Sequence, residues 1–132
     1  MKRYQLLNNI FGWLTFLIAA ATYCLTVEPS ASFWDCPEFI STAAKLEVGH
    51  PPGAPFFMLT GNLFTQLTGD PAQAAYMVNI MSALLSALCI LFLFWTITHL
   101  TRMLICEDGK PSSVAQTVTI LASGLVGALA YT

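Results

Sequence analysis

The sequence predicts an all-α integral membrane protein, with three transmembrane helices and two interfacial amphipathic helices in the loop that joins the first two spans. The prediction rests on composition, on long uncharged apolar runs, and on helical periodicity within the loop. Of the 132 residues, 56% are hydrophobic and only 9% are charged, whereas an average soluble protein has about 25% charged residues. A chain of this length cannot bury so much apolar surface in a soluble core, so lipid must cover part of it.

The predicted spans are residues 10–27, 76–100 and 114–131, and none of them contains Asp, Glu, Lys or Arg. At ~1.5 Å per residue the first run forms about 27 Å of helix, close to the thickness of a bilayer core. A cleaved signal peptide is the weaker alternative, because its apolar region is usually about 7–15 residues long. The third run ends almost at the last residue. We therefore expect residues 1–132 to be a single transmembrane module, the N-terminal part of a longer polytopic protein.

The distribution of basic residues predicts the orientation. Lys2 and Arg3 precede the first span, and Arg102 and Lys110 lie between the second and third spans. The outside loop, residues 28–75, is acidic instead. Its one basic residue is Lys45, and its acids are Glu28, Asp35, Glu38, Glu47 and Asp70. The positive-inside tendency therefore places the N-terminus in the cytoplasm and residues 28–75 outside.

Two short helices are predicted within the loop. The first covers about residues 37–48, after the possible N-cap Asp35 and before Gly49, a common helix stop. The second covers about residues 55–67. Its apolar stripe consists of Phe56, Leu59, Leu63, Phe64 and Leu67, opposite Asn62, Thr65 and Gln66. Both helices are too short to cross a bilayer and are amphipathic, so we expect them to lie in the membrane interface.

The segment WDCPE places the carboxylates of Asp35 and Glu38 one helical turn apart at the start of the first loop helix. A carboxylate at the membrane surface can act as a general base that removes a proton from an attacking hydroxyl. The same spacing also fits a capping box, in which the two side chains satisfy the first N–H groups of a helix. The two interpretations are compatible, because a helix start holds a carboxylate rigidly.

His50 precedes Pro51 and Pro52 in the turn between the two loop helices. Such a histidine could hydrogen-bond a lipid-linked phosphate or an acceptor. The structural alternative is a stiff turn with an exposed imidazole. His99 is assigned to the cytoplasmic end of the second span.

Other classes of chemistry are excluded or disfavoured. The net charge of −2 and the absence of a Lys/Arg cluster exclude nucleic-acid binding. The four cysteines form no CxxC motif and have no metal-type spacing with His50 or His99. We therefore expect neither a metal site nor a cofactor.

The motifs in this order and topology resemble the start of GT-C glycosyltransferases, with protein O-mannosyltransferases as the closest functional comparison. Their first luminal loop has an Asp-Glu motif and, further on, a His-Pro-Pro motif. The pattern FWDCPEFISTAAKLEVGHPPGAPFF, from Phe33 to Phe57, is more specifically similar to a bacterial family of large polytopic proteins. That family was long catalogued as a domain of unknown function and is now grouped with the protein O-mannosyltransferases. This chain departs from the pattern where Cys36 and Pro37 separate the two acids, and where Gly53 replaces a bulkier residue.

The resemblance implies a GT-C-like N-terminal portion in which Asp35 matches the catalytic carboxylate, Glu38 its acidic neighbour and His50 the histidine of the His-Pro-Pro motif. We expect Asp35 and Glu38 to be catalytic and His50 and Trp34 to bind substrate, with anchoring at the membrane edge as the alternative role of Trp34. It implies transfer of a sugar, mannose in the comparison, from a polyprenyl phosphate to Ser or Thr of an exported protein, with inversion. The lipid-linked sugar is a co-substrate, and no obligatory metal is implied. The cation expected beside the leaving phosphate is not identifiable, because Lys45 is the only basic residue in the loop.

Two other classes of function stay open. The chain could be a small membrane scaffold or accessory subunit whose loop docks a partner, or a module of a lipid-linked glycan transporter. The scaffold hypothesis predicts that Asp35→Asn leaves activity intact, and the transporter hypothesis predicts flux without a new glycosidic bond. The expected location is the bacterial inner membrane, with residues 28–75 in the periplasm.

Overall fold

A computed structural model describes residues 2–51, 53–107, 111 and 113–132. Within these residues the regular structure is helical and contains no strand, which confirms the predicted all-α class. Pro52 of the predicted turn and Lys110 of the predicted charge bias lie outside the described residues. The helices are α1 (Lys2–Thr26), α2 (Cys36–Lys45), α3 (Pro55–Gln66), α4 (Ala74–Ile105) and α5 (Val114–Leu129), with a 3-10 turn at Pro71–Gln73 before α4.

Two helical segments of the described chain are long and apolar enough to cross a membrane, judged by length and composition. They are α1, with 25 residues and mean hydropathy 1.4, and Pro71–Ile105, with 35 residues and mean hydropathy 2.4. Helix α5 has only 16 residues, about 24 Å at ~1.5 Å per residue, against a hydrocarbon core of about 30 Å. The two longer spans agree with the sequence. The third span, and the placement of all three in a bilayer, stay predictions.

The residues form two compact units, Met1–Tyr23 with Ser86–Thr132, and Cys24–Leu85. In the first unit, parts of α1 and α4 pack with α5 around a core that includes the fully buried side chains Ala19, Ala87, Phe94 and Ile120. Small residues permit this packing. At Gly124, for example, an added Cβ would lie 2.5 Å from Thr98 Cγ2, so only glycine allows α4 and α5 to approach so closely.

The second unit contains α2, α3 and the beginning of α4. Its core consists of Ile40, Ala43, Met58, Val78 and Met81. Gly61 lets α3 lie against α2, because a Cβ on that glycine would be 2.9 Å from the Cβ of Ala43.

The polar face predicted for α3 is partly wrong. Asn62 is buried, with 9% of its surface exposed, and its Nδ2 donates to Ala43 O at 3.1 Å and Ala44 O at 3.0 Å. It therefore ties α3 to the end of α2. Most of the predicted apolar stripe is the exposed face instead, since Phe56 is 78% exposed and Leu63 61%. The location of that face in the membrane interface stays a prediction.

The ends of the loop helices follow the sequence in part. Asp70 caps the 3-10 turn before α4 as expected, its side chain accepting a hydrogen bond from Ala72 N at 3.0 Å. Helix α2 ends at Lys45, earlier than predicted, and Gly49 is not its stop. Leu46 adopts a left-handed conformation, φ 55°, and Glu47 N donates to Thr42 O at 2.9 Å. These are features of a Schellman cap, which terminates the helix without a glycine.

Candidate functional site

The capping box predicted from Asp35 and Glu38 is wrong. Asp35 lies at the N-cap of α2 with helical backbone angles, φ −77° and ψ −5°, and its side chain makes no cap hydrogen bond. A side chain that caps a helix usually sits on a β-region backbone. The Asp35 carboxylate is therefore not used to start the helix, and the residue is exposed.

Glu38 bonds to His50 rather than back to the helix start. Its Oε1 accepts a hydrogen bond from the backbone N–H of His50 at 2.8 Å. His50 Nδ1 lies 3.0 Å from Oε1 and 2.9 Å from Oε2 of the same carboxylate. Because a carboxylate can only accept, we assign the imidazole proton on this side to Nδ1, which leaves Nε2 for another group.

The pair changes the pKa of both groups. Hydrogen bonds from the backbone and then from the side chain of His50 lower the pKa of Glu38 below its ordinary 4.5. The side-chain hydrogen bond to Glu38, followed by the charge of Glu38, raises the pKa of His50 above its ordinary 6.5, and the charge of Asp35 raises it further. The imidazole is thereby biased towards the cationic form beside two carboxylates.

Gly49 and Phe39 position this pair, a role that the sequence pattern did not predict for either residue. A Cβ on Gly49 would lie 3.1 Å from Glu38 Oε1, so the missing side chain gives the carboxylate room beside the turn. The ring of Phe39 meets the imidazole of His50 edge-on, with centroids 6.3 Å apart and an angle of 90° between the planes. Gly53 N donates to His50 O at 2.9 Å, which confirms the predicted turn.

A hollow of about 170 Å³ lies beside the Glu38–His50 pair. Its walls include the apolar side chains of Phe39, Ala54 and Met58. It is smaller than the cavities of about 300–1,000 Å³ that enclose drug-sized ligands, so it has room for one small group and not for a complete lipid-linked sugar.

Of the four predicted site residues, Asp35, Glu38 and His50 lie in one region, and Trp34 stands apart from His50. Asp35 and Glu38 lie at the start of α2, and Glu38 holds His50. Trp34 is 92% exposed and, within the described residues, makes no ring contact with His50. Its φ of 68° is an unusual backbone conformation for a bulky residue. Such strain is concentrated at functional sites, and here it directly precedes Asp35.

The part of the chain that the structure describes contains no candidate metal site. No group of three or more His, Cys, Asp or Glu side chains there is placed to hold a metal ion. The four cysteines are free.

A match to a known protein family shows to which family this chain belongs. The family model described as the N-terminal domain of the protein O-mannosyl-transferase TMEM260 matches residues 35–132. The chain belongs to this family. The matched region contains Asp35, Glu38 and His50, and the predicted likeness to the N-terminal portion of an O-mannosyltransferase is confirmed.

Curated relatives carry the same description. The chain is 36% identical over 86 residues to the mouse protein O-mannosyl-transferase TMEM260. This alignment covers 65% of this chain and 12% of the relative. It is 29% identical over 85 residues to the Dictyostelium discoideum protein of that name, covering 64% of this chain and 10% of the relative. The aligned region thus spans about a tenth of these relatives. No solved structure matches the chain.

The apolar helices and these relatives support a membrane protein. Both relatives come from eukaryotes, and nothing in the comparison supports the predicted bacterial inner membrane. The orientation stays a prediction.

Proposed function

We propose that this chain forms the acceptor-activating part of a GT-C-type protein O-mannosyltransferase. In this proposal the complete enzyme transfers mannose from a polyprenyl phosphate to a Ser or Thr hydroxyl of an exported protein, with inversion. Two relatives described as protein O-mannosyl-transferases support the reaction class. The donor, the acceptor and the stereochemistry are part of the proposal.

The observation that carries the proposal is the grouping at the start of α2. The Asp35 carboxylate takes no part in capping the helix, while Glu38, one turn further on, is held by both the backbone and the ring of His50. One carboxylate is thus available to a substrate and the other orients an imidazole. A catalytic site requires this division between a reacting group and a group that positions its neighbour.

Each residue then has a defined role in an inverting transfer. Asp35 removes the proton from the acceptor hydroxyl as its oxygen attacks the anomeric carbon, and the bond from that carbon to the phosphate oxygen breaks. His50 uses Nε2 to hydrogen-bond the departing phosphate, which is best served by the cationic imidazole that Glu38 favours. Glu38 acts as a positioning residue. No cofactor takes part, and further cations for the phosphate come from the remainder of the enzyme.

The site is proposed to lie on the non-cytoplasmic face, where residues 28–75 are predicted. A lipid-linked donor and an exported acceptor can both reach that face. Lys2 and Arg3 precede the first span and Arg102 follows the second, so these basic residues lie at the span ends opposite to residues 28–75. The positive-inside tendency supports this orientation.

The test is Asp35→Asn in the full-length enzyme, assayed with polyprenyl-phosphate mannose and a Ser/Thr peptide at equal membrane abundance. Asparagine keeps the shape of the side chain but not its basicity, so we expect turnover to fall by at least ~10²-fold. Asp70→Asn is the matched control. It makes the same chemical change at a residue that does cap a turn, and Asn caps about as well as Asp, so activity should stay near wild type.

Retention of transfer by Asp35→Asn would remove Asp35 from the mechanism and favour the scaffold hypothesis. Movement of a lipid-linked sugar across the membrane, without a new glycosidic bond, would favour the transporter hypothesis.

A further inference from the structure

A polar cavity of about 400 Å³ lies in the first compact unit, away in sequence from the loop site. It is formed where the first turns of α1 meet the last turns of α4. Its polar lining includes Gln5, Asn8 and Asn9 from α1 and Trp95, His99 and Arg102 from α4. So many polar groups are unusual on two helices that are otherwise apolar enough to span a bilayer.

Three residues that line this cavity each carry a buried side-chain atom with no hydrogen-bond partner among the residues that the structure describes. The atoms are Asn8 Oδ1, Trp95 Nε1 and Arg102 Nε. Buried polar atoms are nearly always paired, and leaving one without a partner costs free energy. The packing nevertheless holds the indole in place, because Gly12 lets it approach α1 so closely that a Cβ would lie 2.6 Å from Trp95 Nε1. These lining side chains therefore have unused hydrogen-bonding capacity, which a polar group that entered the cavity would gain.

The chemistry of the lining selects an anion. Two of the three unpaired atoms, Trp95 Nε1 and Arg102 Nε, are donors. The third, Asn8 Oδ1, is an acceptor, but it belongs to an amide whose Nδ2 is also a donor. Another nitrogen of the Arg102 guanidinium lies 3.3 Å from His99 Nδ1. Since Arg can only donate, Nδ1 accepts and the ring proton is on Nε2, which adds another donor. Arg102 brings a positive charge, and among the described residues no acidic side chain lines the cavity.

The position along the helices selects a lipid as the source of that anion. Arg102 is the first charged residue after the long apolar run of α4, and Asn8 and Asn9 directly precede the apolar run of α1. Leu6 and Met103, which adjoin the lining residues in sequence, are 60% and 63% exposed. Basic pockets between spans, at the level where apolar runs end, bind the head groups of anionic lipids.

We propose that this cavity binds the phosphate of an anionic phospholipid, with Arg102 and Trp95 as donors. The site is independent of the proposed transfer reaction. It would anchor the end of α1 to the end of α4 through a lipid bound at the membrane surface.

The experiment uses the full-length protein, purified in detergent and stripped of lipid. Phosphatidylglycerol, phosphatidylcholine and inorganic phosphate are titrated separately while the Tm is recorded. We expect a saturable rise in Tm with phosphatidylglycerol and no comparable rise with the other two. An equal rise with phosphatidylcholine, or with inorganic phosphate at matched concentration, would contradict the assignment to an anionic lipid.

Variants then locate the binding. Arg102→Gln should weaken the apparent affinity for phosphatidylglycerol by about tenfold or more, as expected for one charge-assisted hydrogen bond. Arg3→Gln removes an equal charge from the first turn of α1, but Arg3 does not line this cavity. The affinity of this variant for phosphatidylglycerol should therefore stay close to wild type. Trp95→Phe removes only the indole N–H while keeping an aromatic ring beside Trp13, and provides the test if Arg102→Gln does not fold. Unchanged affinity in Trp95→Phe and in any folded Arg102→Gln would overturn the proposal.

Discussion

Asn62 joins the two loop helices, and its replacement by alanine should loosen the segment that carries the candidate site. Its Nδ2 donates to Ala43 O at 3.1 Å and to Ala44 O at 3.0 Å. A hydrogen bond of this kind contributes a net stabilisation of about 1 kcal/mol, so loss of both should cost about 2 kcal/mol. Ala43 O keeps a second donor, the N–H of Leu46 at 3.4 Å, which limits the penalty for leaving an acceptor unpaired.

A loss of about 2 kcal/mol raises the equilibrium for local opening by about 30-fold. We therefore expect the amide protons of α2 to exchange up to about 30-fold faster in Asn62→Ala, when α2 opens locally as a unit. Hydrogen exchange measured by mass spectrometry on the full-length protein in lipid nanodiscs would resolve this change. Because α2 also positions Glu38, transfer activity should fall in parallel.

Thr60→Ala is the matched control. Thr60 lies on the same helix, but its hydroxyl donates to Phe56 O of α3 itself, at 2.7 Å. Its replacement should leave exchange in α2 within about threefold of wild type, as expected for a surface substitution worth about 0.5 kcal/mol or less. If α2 exchanged equally in both variants, the two hydrogen bonds of Asn62 would not hold the helices together.

Three other predictions follow from the site and the topology. The difference in Tm between wild type and Glu38→Gln should be largest between about pH 4.5 and 6.5. It should decline as rising pH passes the raised pKa of His50 and as falling pH passes the lowered pKa of Glu38, and a flat difference would contradict the ion pair. Gly49→Ala should reduce transfer, by less than Glu38→Gln, because the new Cβ 3.1 Å from Glu38 Oε1 displaces the carboxylate; undiminished activity in the same peptide assay would argue against this positioning. In intact cells an impermeant thiol reagent should label Ser32→Cys but not Glu107→Cys, both at exposed positions, and the reverse pattern would invert the topology.

The choice of labelling positions depends on the structure. Native Cys106 is only 5% exposed, so its failure to react would reveal burial and not sidedness. Cys36 is partly buried at the start of α2. Engineered cysteines in a background without these thiols avoid that ambiguity.

The sequence by itself determined the features that depend on neighbouring residues. Uncharged apolar runs predicted α1 and α4, because an apolar helix of that length matches the thickness of a bilayer and lipid can cover its surface. Asp70 before Pro71 predicted the turn that begins α4, and the cap forms as expected. The motif from Asp35 to His50 also predicted the family, since it depends only on residue order.

Tertiary structure decided which groups meet. Glu38 could complete a capping box or reach across the turn, and only the folded loop brings His50, twelve positions away, within 2.8 Å. Asn62 looked like a surface residue by helical periodicity, yet the close approach at Gly61 turns it against α2. The unpaired atoms of Asn8, Trp95 and Arg102 come from segments of α1 and α4 that are about ninety residues apart in the sequence. Local rules of capping and periodicity contain no information about such partners, because those contacts exist only once the helices have packed.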